Sequence, residues 1–255
     1  MYQGNKSKNG TNFPIPDYNL FDVGGFVFAK KSFGKVDVSG GARYDSRYIR
    51  WGDFYVGPNK QNGFEQHVRW PDTAGAHLQF PHFSHHYTGI SGSLGATWNI
   101  SGRVLVKVNI ARGYRAPNIT EIGSNGLDPG AHIVYLGNRS FKPEFSLQED
   151  IGIQAWLPDA TISVELFNNN IENYIYQSRL YDNTGNPVII VPGNATYSYQ
   201  QSAARLYGAE VSVNLHPSSI PWLAMDNSIA YTQGRNRNAE MIRLYGDKAR
   251  YLPFI

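Results

Sequence analysis

Repeated stretches of this chain alternate apolar and polar residues with a period of two, and no stretch is apolar throughout. In a strand, successive side chains point to opposite faces, so a period of two means one greasy face and one wet face. Val104, Val106, Val108 and Ile110 share one face, and Lys107 and Asn109 share the other. The same split sets Val36, Val38, Ala42 and Tyr44 against Asp37, Ser39, Arg43 and Asp45. It sets Ile162, Val164 and Leu166 against Ser163 and Glu165, and Ala209, Val211 and Val213 against Glu210, Ser212 and Asn214. Turn signals divide the chain into about eight such runs: 19–32, 35–47, 86–100, 103–111, 145–157, 161–176, 197–215 and 222–233.

The connections between runs alternate in length. Those at 32–35, 101–102, 158–159 and 216–221 are short, and those at 51–84, 113–143, 179–195 and from 234 onward are long. Every long loop therefore falls at one end of the strands, as in outer-membrane barrels. A soluble β-sandwich also alternates faces but has no reason to gather its long loops at one end. No stretch approaches the ~18 apolar residues of a membrane-crossing helix, whereas a barrel strand needs only about 9–11 alternating residues. Charged residues make up 17% of the chain, below the about 25% of soluble domains. The reading is all-β: an antiparallel up-and-down transmembrane β-barrel segment of about eight strands, located in a bacterial outer membrane.

An Arg or Lys on the lipid face at mid-bilayer costs about 2–4 kcal/mol. Arg43, Lys107, Glu165 and Glu210 are therefore expected in a wet lumen, with Asp37 and Arg205 beside them. Glu149 breaks the pattern, because it falls on the apolar side between Leu147 and Ile151. Tyr44, Tyr48, Trp51, Tyr87, Tyr114, Trp156, Tyr174, Tyr176 and Trp222 crowd the strand ends and are expected to form aromatic girdles.

Enzyme chemistry finds no support. The chain has no cysteine and a net charge of +3, which excludes a disulfide framework or Cys-based zinc site and gives no nucleic-acid footprint. Gly34-Lys35 lacks the earlier glycine of a phosphate loop, and Gly89-Ile90-Ser91-Gly92-Ser93 ends in Ser where a nucleophile elbow needs Gly. No carboxylate pair is singled out as acid and base. His77, His82, His85 and His86 lie close enough in sequence to raise a transition-metal site, but no metal or cofactor is assigned, and no catalytic residue.

Arg112-Gly113-Tyr114-Arg115-Ala116-Pro117-Asn118 leads through Glu121-Ile122-Gly123-Ser124-Asn125-Gly126 to Leu136-Gly137-Asn138 and Phe141-Lys142-Pro143-Glu144. Leu166-Phe167-Asn168-Asn169-Asn170-Ile171 and Leu206-Tyr207-Gly208-Ala209-Glu210 follow. This ordered series resembles the C-terminal barrel of TonB-dependent outer-membrane receptors, particularly those of Bacteroidetes-type bacteria, over nearly the whole chain. Pro117 cannot donate to a ladder, so a strand should stop there, and Gly208 reads as close packing on the inner wall.

The resemblance implies energised import of a scarce small-molecule ligand: a ferric siderophore, haem, a cobalamin-like molecule or an oligosaccharide. The partners it implies are membrane lipid and a TonB complex acting through a plug domain. Passive porin or adhesin is the alternative. It implies ligand contacts on the long loops, for which Arg115, His132, Tyr135 and Asn138 are the candidates, with His132 and Tyr135 as possible haem ligands. The polar start Met1-Tyr2-Gln3-Gly4-Asn5-Lys6 and the end at Tyr251-Leu252-Pro253-Phe254-Ile255 give the expectation of an internal piece, 1–255, of a longer barrel, lacking its plug domain and last strands.

Overall fold

In a computed structural model, residues 1–7, 12–58, 65–237, 242–243 and 252 are described. The end at 251–255, on which the expectation of missing last strands rests, lies almost wholly outside them. In chain order the elements are β1 (Tyr2–Asn5), β2 (Tyr18–Phe33), β3 (Val36–Trp51), β4 (Phe54–Pro58), β5 (Glu65–Val68), β6 (His77–Phe80), β7 (Phe83–Ser101) and β8 (Val104–Arg115). Then come α1 (Ile119–Gly123), β9 (Asn125–Asp128), β10 (Ile133–Leu136), β11 (Glu144–Trp156), β12 (Ala160–Arg179), β13 (Ala195–Leu215) and β14 (Met225–Asn236).

The long strands β2, β3, β7, β8, β11, β12, β13 and β14 pair antiparallel, each with the next in that order. Such a meander follows from the short turns, which return the chain beside the strand it has just left. The β2–β3 turn uses Gly34 at φ +61, a left-handed conformation that glycine adopts without steric cost. β8 ends at Arg115, just before Pro117. Among the described residues no pairing joins β14 back to β1 or β2.

Register turns local alternation into two continuous surfaces. One row across the eight long strands reads Phe33, Val36, Trp98, Val106, Ile153, Val164, Val211, Ile229, apolar in every strand. The next reads Lys31, Val38, Ala96, Val108, Ile151, Leu166, Ala209, Tyr231, apolar in all but β2. On the opposite face one row reads Ser32, Asp37, Thr97, Lys107, Gly152, Glu165, Glu210, Ala230. Ile229 is 71% exposed, Leu94 59% and Leu166 49%. A continuous apolar band of this extent on a monomeric soluble protein would exceed the few hundred Å² such surfaces tolerate.

The packed core is on the polar side of the sheet, at the long-loop end. Leu20 of β2, Ile49 of β3 and Tyr87 of β7 contribute from the wall, and Phe13, Phe54, Val56, Phe80 and Ile122 from the loops and α1. β4, β5 and β6 form a separate small sheet within the first long loop. This corrects the aromatic-girdle expectation: Trp51 is 3% exposed and Tyr87 2%, because both share the face of Ile49 and point into the loop cluster. Tyr44, Tyr48, Trp156 and Trp222 remain exposed.

One further position differs from expectation, and one agrees with it. Arg205 alternates in phase with Ala209 and Val211, so it stands on the apolar face and not beside Glu210. Glu149 does stand on that face. Asn168 Nδ2 donates to its carboxylate at 2.8 Å, and Arg205 Nε donates to Asn168 Oδ1 at 2.7 Å. The exception to the alternation is thus one end of a polar chain across three strands.

Gly208 sits on the polar face opposite Phe167. A Cβ there would come within 2.8 Å of the Phe167 ring and closer still to the Tyr231 carbonyl. Gly208→Ala is expected to cost about 1–3 kcal/mol through overpacking, read from the unfolding of the detergent-solubilised protein. An unchanged midpoint would show that the ring does not seal this position.

Candidate functional site

The site is built where β8 stops. Pro117 breaks the ladder, and Asn118 starts α1 with a reciprocal cap. Asn118 Oδ1 accepts from the Glu121 backbone N–H at 2.9 Å, while Glu121 Oε2 accepts from the Asn118 N–H at 2.8 Å. Glu121 also accepts from Arg115 Nη1 at 2.8 Å. The Arg115 Nε donates to Glu144, the first residue of β11. The other Glu144 oxygen accepts from the Ile175 backbone N–H of β12 at 2.5 Å. One guanidinium therefore ties β8, α1, β11 and β12 together at the loop end.

The returning chain closes on the same helix. Gly137 N–H donates to the Ser124 carbonyl at 2.7 Å and Asn138 N–H to the Glu121 carbonyl at 2.9 Å. A Cβ on Gly137 would lie 2.8–2.9 Å from that backbone, so only glycine allows the approach. β10 then pairs parallel with the loop end of β13, and β9 pairs with β10. The 116–143 segment thus crosses from β8 to β13 over the polar face. Gln79 Nε2 ties it to the first loop by donating to the Asn125 and Phe13 carbonyls at 2.7 and 2.8 Å.

Below this roof the polar face holds several hollows, two of them lined by acidic and basic side chains. The upper, about 490 Å³, is lined by Asp22, Arg43, Asp45, Arg47, Tyr114 and Arg115 among others. Arg47 binds Asp22 through two bonds of 2.8 and 2.9 Å, and Arg43 binds Asp45 at 2.7 Å. The neighbouring hydroxyls of Tyr87 and Tyr114 are buried and have no hydrogen-bond partner among the described residues. The lower cavity, about 370 Å³, is lined by Lys107, Asn109, Asp150, Glu165, Phe167 and Glu210 among others. Glu165 and Glu210 face each other across β12 and β13, and Lys107 lies opposite Gly152, whose other partner is Glu165. The wall is therefore balanced above and acidic below.

The sequence candidates fall in three places. Arg43, Lys107, Glu165 and Glu210 share the polar face, with Arg43 in the upper cavity and the other three in the lower. Arg115 and Asn138 are engaged in local structure: Arg115 as above, and Asn138 by accepting from Ser140 N–H at 3.0 Å and Ser140 Oγ at 2.6 Å. His132 and Tyr135 stand on the β9–β10 hairpin, His132 exposed at φ 56 and Tyr135 opposite Tyr197. Partial burial raises the Tyr135 phenol pKa. The loop histidines do not converge. His85 packs 4.3 Å from Tyr87 on the polar face, whereas His86 bonds Ser46 at 2.6 Å on the other. Among the described residues there is no group of three His, Cys, Asp or Glu side chains able to hold a metal. The carboxylate clamp on Arg115 escaped the sequence reading, although Asn118 and Glu121 at cap spacing were the available signal.

A long antiparallel meander with one apolar face, one charged face and loops folded over the charged face is the architecture of a β-barrel wall. The chain belongs to the TonB-dependent receptor-like β-barrel family, whose model matches residues 2–255. No curated protein matches it. Among solved structures it resembles the copper transporter OprC, with a TM-score of 0.65 at 17% identity, covering 94% of this chain and 32% of that one. It also resembles the hemophore receptor HasR of Serratia marcescens, solved with its hemophore and heme, with a TM-score of 0.62 at 19% identity, covering 88% and 35%. The FrpB iron transporter of Neisseria meningitidis gives a TM-score of 0.55 at 13% identity, covering 87% and 27%. The chain spans about a third of the length of these structures. The identities are low, so the likeness is one of fold.

Proposed function

We propose that this chain is part of the wall of an outer-membrane receptor that imports a scarce ligand with energy delivered by a TonB complex through a plug domain of the same longer polypeptide. The observation that carries this reading is the roof over the charged face. Loops that fold inward and lock onto the wall through Arg115 narrow the lumen and give it a shaped surface on which a specific ligand can rest. The charged lower wall of Lys107, Glu165 and Glu210 supplies surface for a polar plug. The upper rim, with His132 and Tyr135 on the hairpin, supplies the ligand-facing surface, and Arg115 and Asn138 hold its shape. The related folds named for copper, heme and iron transport favour a metal-bearing ligand such as haem or a ferric siderophore over an oligosaccharide or a cobalamin-like molecule.

The test is whole-cell uptake by the full-length receptor containing this segment. Radiolabelled ferric siderophores, haem, cobalamin and malto-oligosaccharides are each offered to energised cells and to cells treated with a protonophore or lacking TonB. Uptake of at least one ligand is expected in energised cells and absent from the others. Equal entry in all three would establish the passive porin instead.

A further inference from the structure

We propose that Arg205 and Arg235 form a binding site on the outside of the wall for the phosphate of an anionic membrane lipid. The inference rests on the outer-membrane placement argued above and goes beyond the transport reading. Arg205 of β13 and Arg235 of β14 are direct cross-strand partners. Both are exposed. Arg205 alternates in phase with Ala209 and Val211, and Arg235 with Ile229 and Tyr231, so both stand on the apolar face.

Like charges directly opposite one another destabilise a sheet. Among the described residues neither guanidinium takes part in an ion pair. Of the carboxylates in phase with that face, Glu149 is held by Asn168, and Glu172, two residues beyond the Asn170 that pairs with Arg205, forms no ion pair with either arginine. Arg205 is anchored through Nε on Asn168 and lies 5.2 Å from the Tyr207 ring centre. Arg235 Nη2 makes a long 3.4 Å bond to Gln233. Among the described residues the pair is thus pinned by neutral groups and bonded to no carboxylate.

Height on the wall decides which anion. Arg205 precedes Leu215 at the short-turn end of β13, and Arg235 follows Met225 at the start of β14, each by about ten residues. Strands that rise about 3.3 Å per residue and tilt by about 35–45° climb about 25 Å over that length, the height of the apolar band. The pair therefore meets the layer of lipid headgroups on the long-loop side. A guanidinium fork matches a phosphate through paired, charge-assisted hydrogen bonds.

The test uses the full-length receptor and its Arg205→Gln/Arg235→Gln variant, each first located by membrane fractionation and then reconstituted in nanodiscs of phosphatidylcholine with a minor share of phosphatidic acid. Wild type is expected to enrich phosphatidic acid among its retained lipids about tenfold over phosphatidylcholine, and the variant to lose that enrichment while still fractionating with the outer membrane. Inorganic phosphate at the same concentration should not displace the lipid. Equal enrichment in both proteins overturns the proposal and leaves the outer-membrane reading standing. Complete displacement by inorganic phosphate overturns it in favour of a free-anion site. Recovery of wild type outside the outer membrane overturns both readings.

Discussion

Arg115→Ala is expected to destabilise the loop end of the wall by about 3–5 kcal/mol, the usual cost of removing one partner from a buried charged cluster. The reason lies with the residues left behind. The Glu121 side chain is 8% exposed and that of Glu144 11%, and both are paired to Arg115. Removing the guanidinium leaves two carboxylates near each other with little water. Each keeps one backbone N–H donor, from Asn118 and Ile175 respectively, but loses its countercharge. The Arg115 side chain is itself 42% exposed, which places the expectation at the lower end of that range. Heat-induced unfolding of the full-length receptor in detergent reads the effect. Arg115→Lys should recover part of it, since the charge returns without the fork. Arg115→Ala combined with Glu121→Gln and Glu144→Gln should recover part of it as well. A change below about 0.5 kcal/mol in the single variant, as for an ordinary surface substitution, would mean that the clamp does not hold the roof.

Val164→Arg is expected to cost about 2–4 kcal/mol when the protein is folded in lipid, because it places a guanidinium within the apolar band. Val164 lies in the row that is apolar across all eight long strands, between Ile153 and Val211. Its chain neighbour Glu165 points to the other face. Glu165→Arg makes the matched control: it keeps the strand and the added side chain but faces the charged wall, and it relieves the opposition of Glu165 and Glu210. Its expected change is small. Unfolding of both variants from phospholipid vesicles separates the two faces. Equal penalties would contradict the assignment of the lipid side. The native Arg205 and Arg235 stand on the same face without contradiction, since the penalty falls to about 0–1 kcal/mol near the interface.

Alternation is a local property, and so the eight long strands and their faces were legible in residues two apart. Short turns were legible for the same reason, as were the strand stop at Pro117 and the close packing at Gly208. The misread residues show where locality ends. Trp51 and Tyr87 look like girdle aromatics in a linear pattern, and only the folding of the loops back over the wall buries them. The charge of Arg205 suggests the wet face, but its phase places it on the other. The alternation with Ala209 already placed it on the apolar side, but nothing nearby in sequence supplied the Asn168 partner that makes that position tolerable. Glu149 breaks the alternation in the linear pattern for the same reason.

The sequence by itself determined a wall: its strands, its two faces and the end at which the long loops gather. These follow from the period of two and from turn chemistry, which act over a few residues. The tertiary structure decided the site. Arg115 meets Glu144 across 29 positions, Gln79 meets the Asn125 carbonyl across 46, and Arg205 meets Asn168 across 37. Such pairs depend on register between strands and on the path of the 116–143 segment across the lumen. Neither is encoded in any short window of the chain, so the roof, the clamp and the outward arginine pair emerge only when the strands are laid side by side.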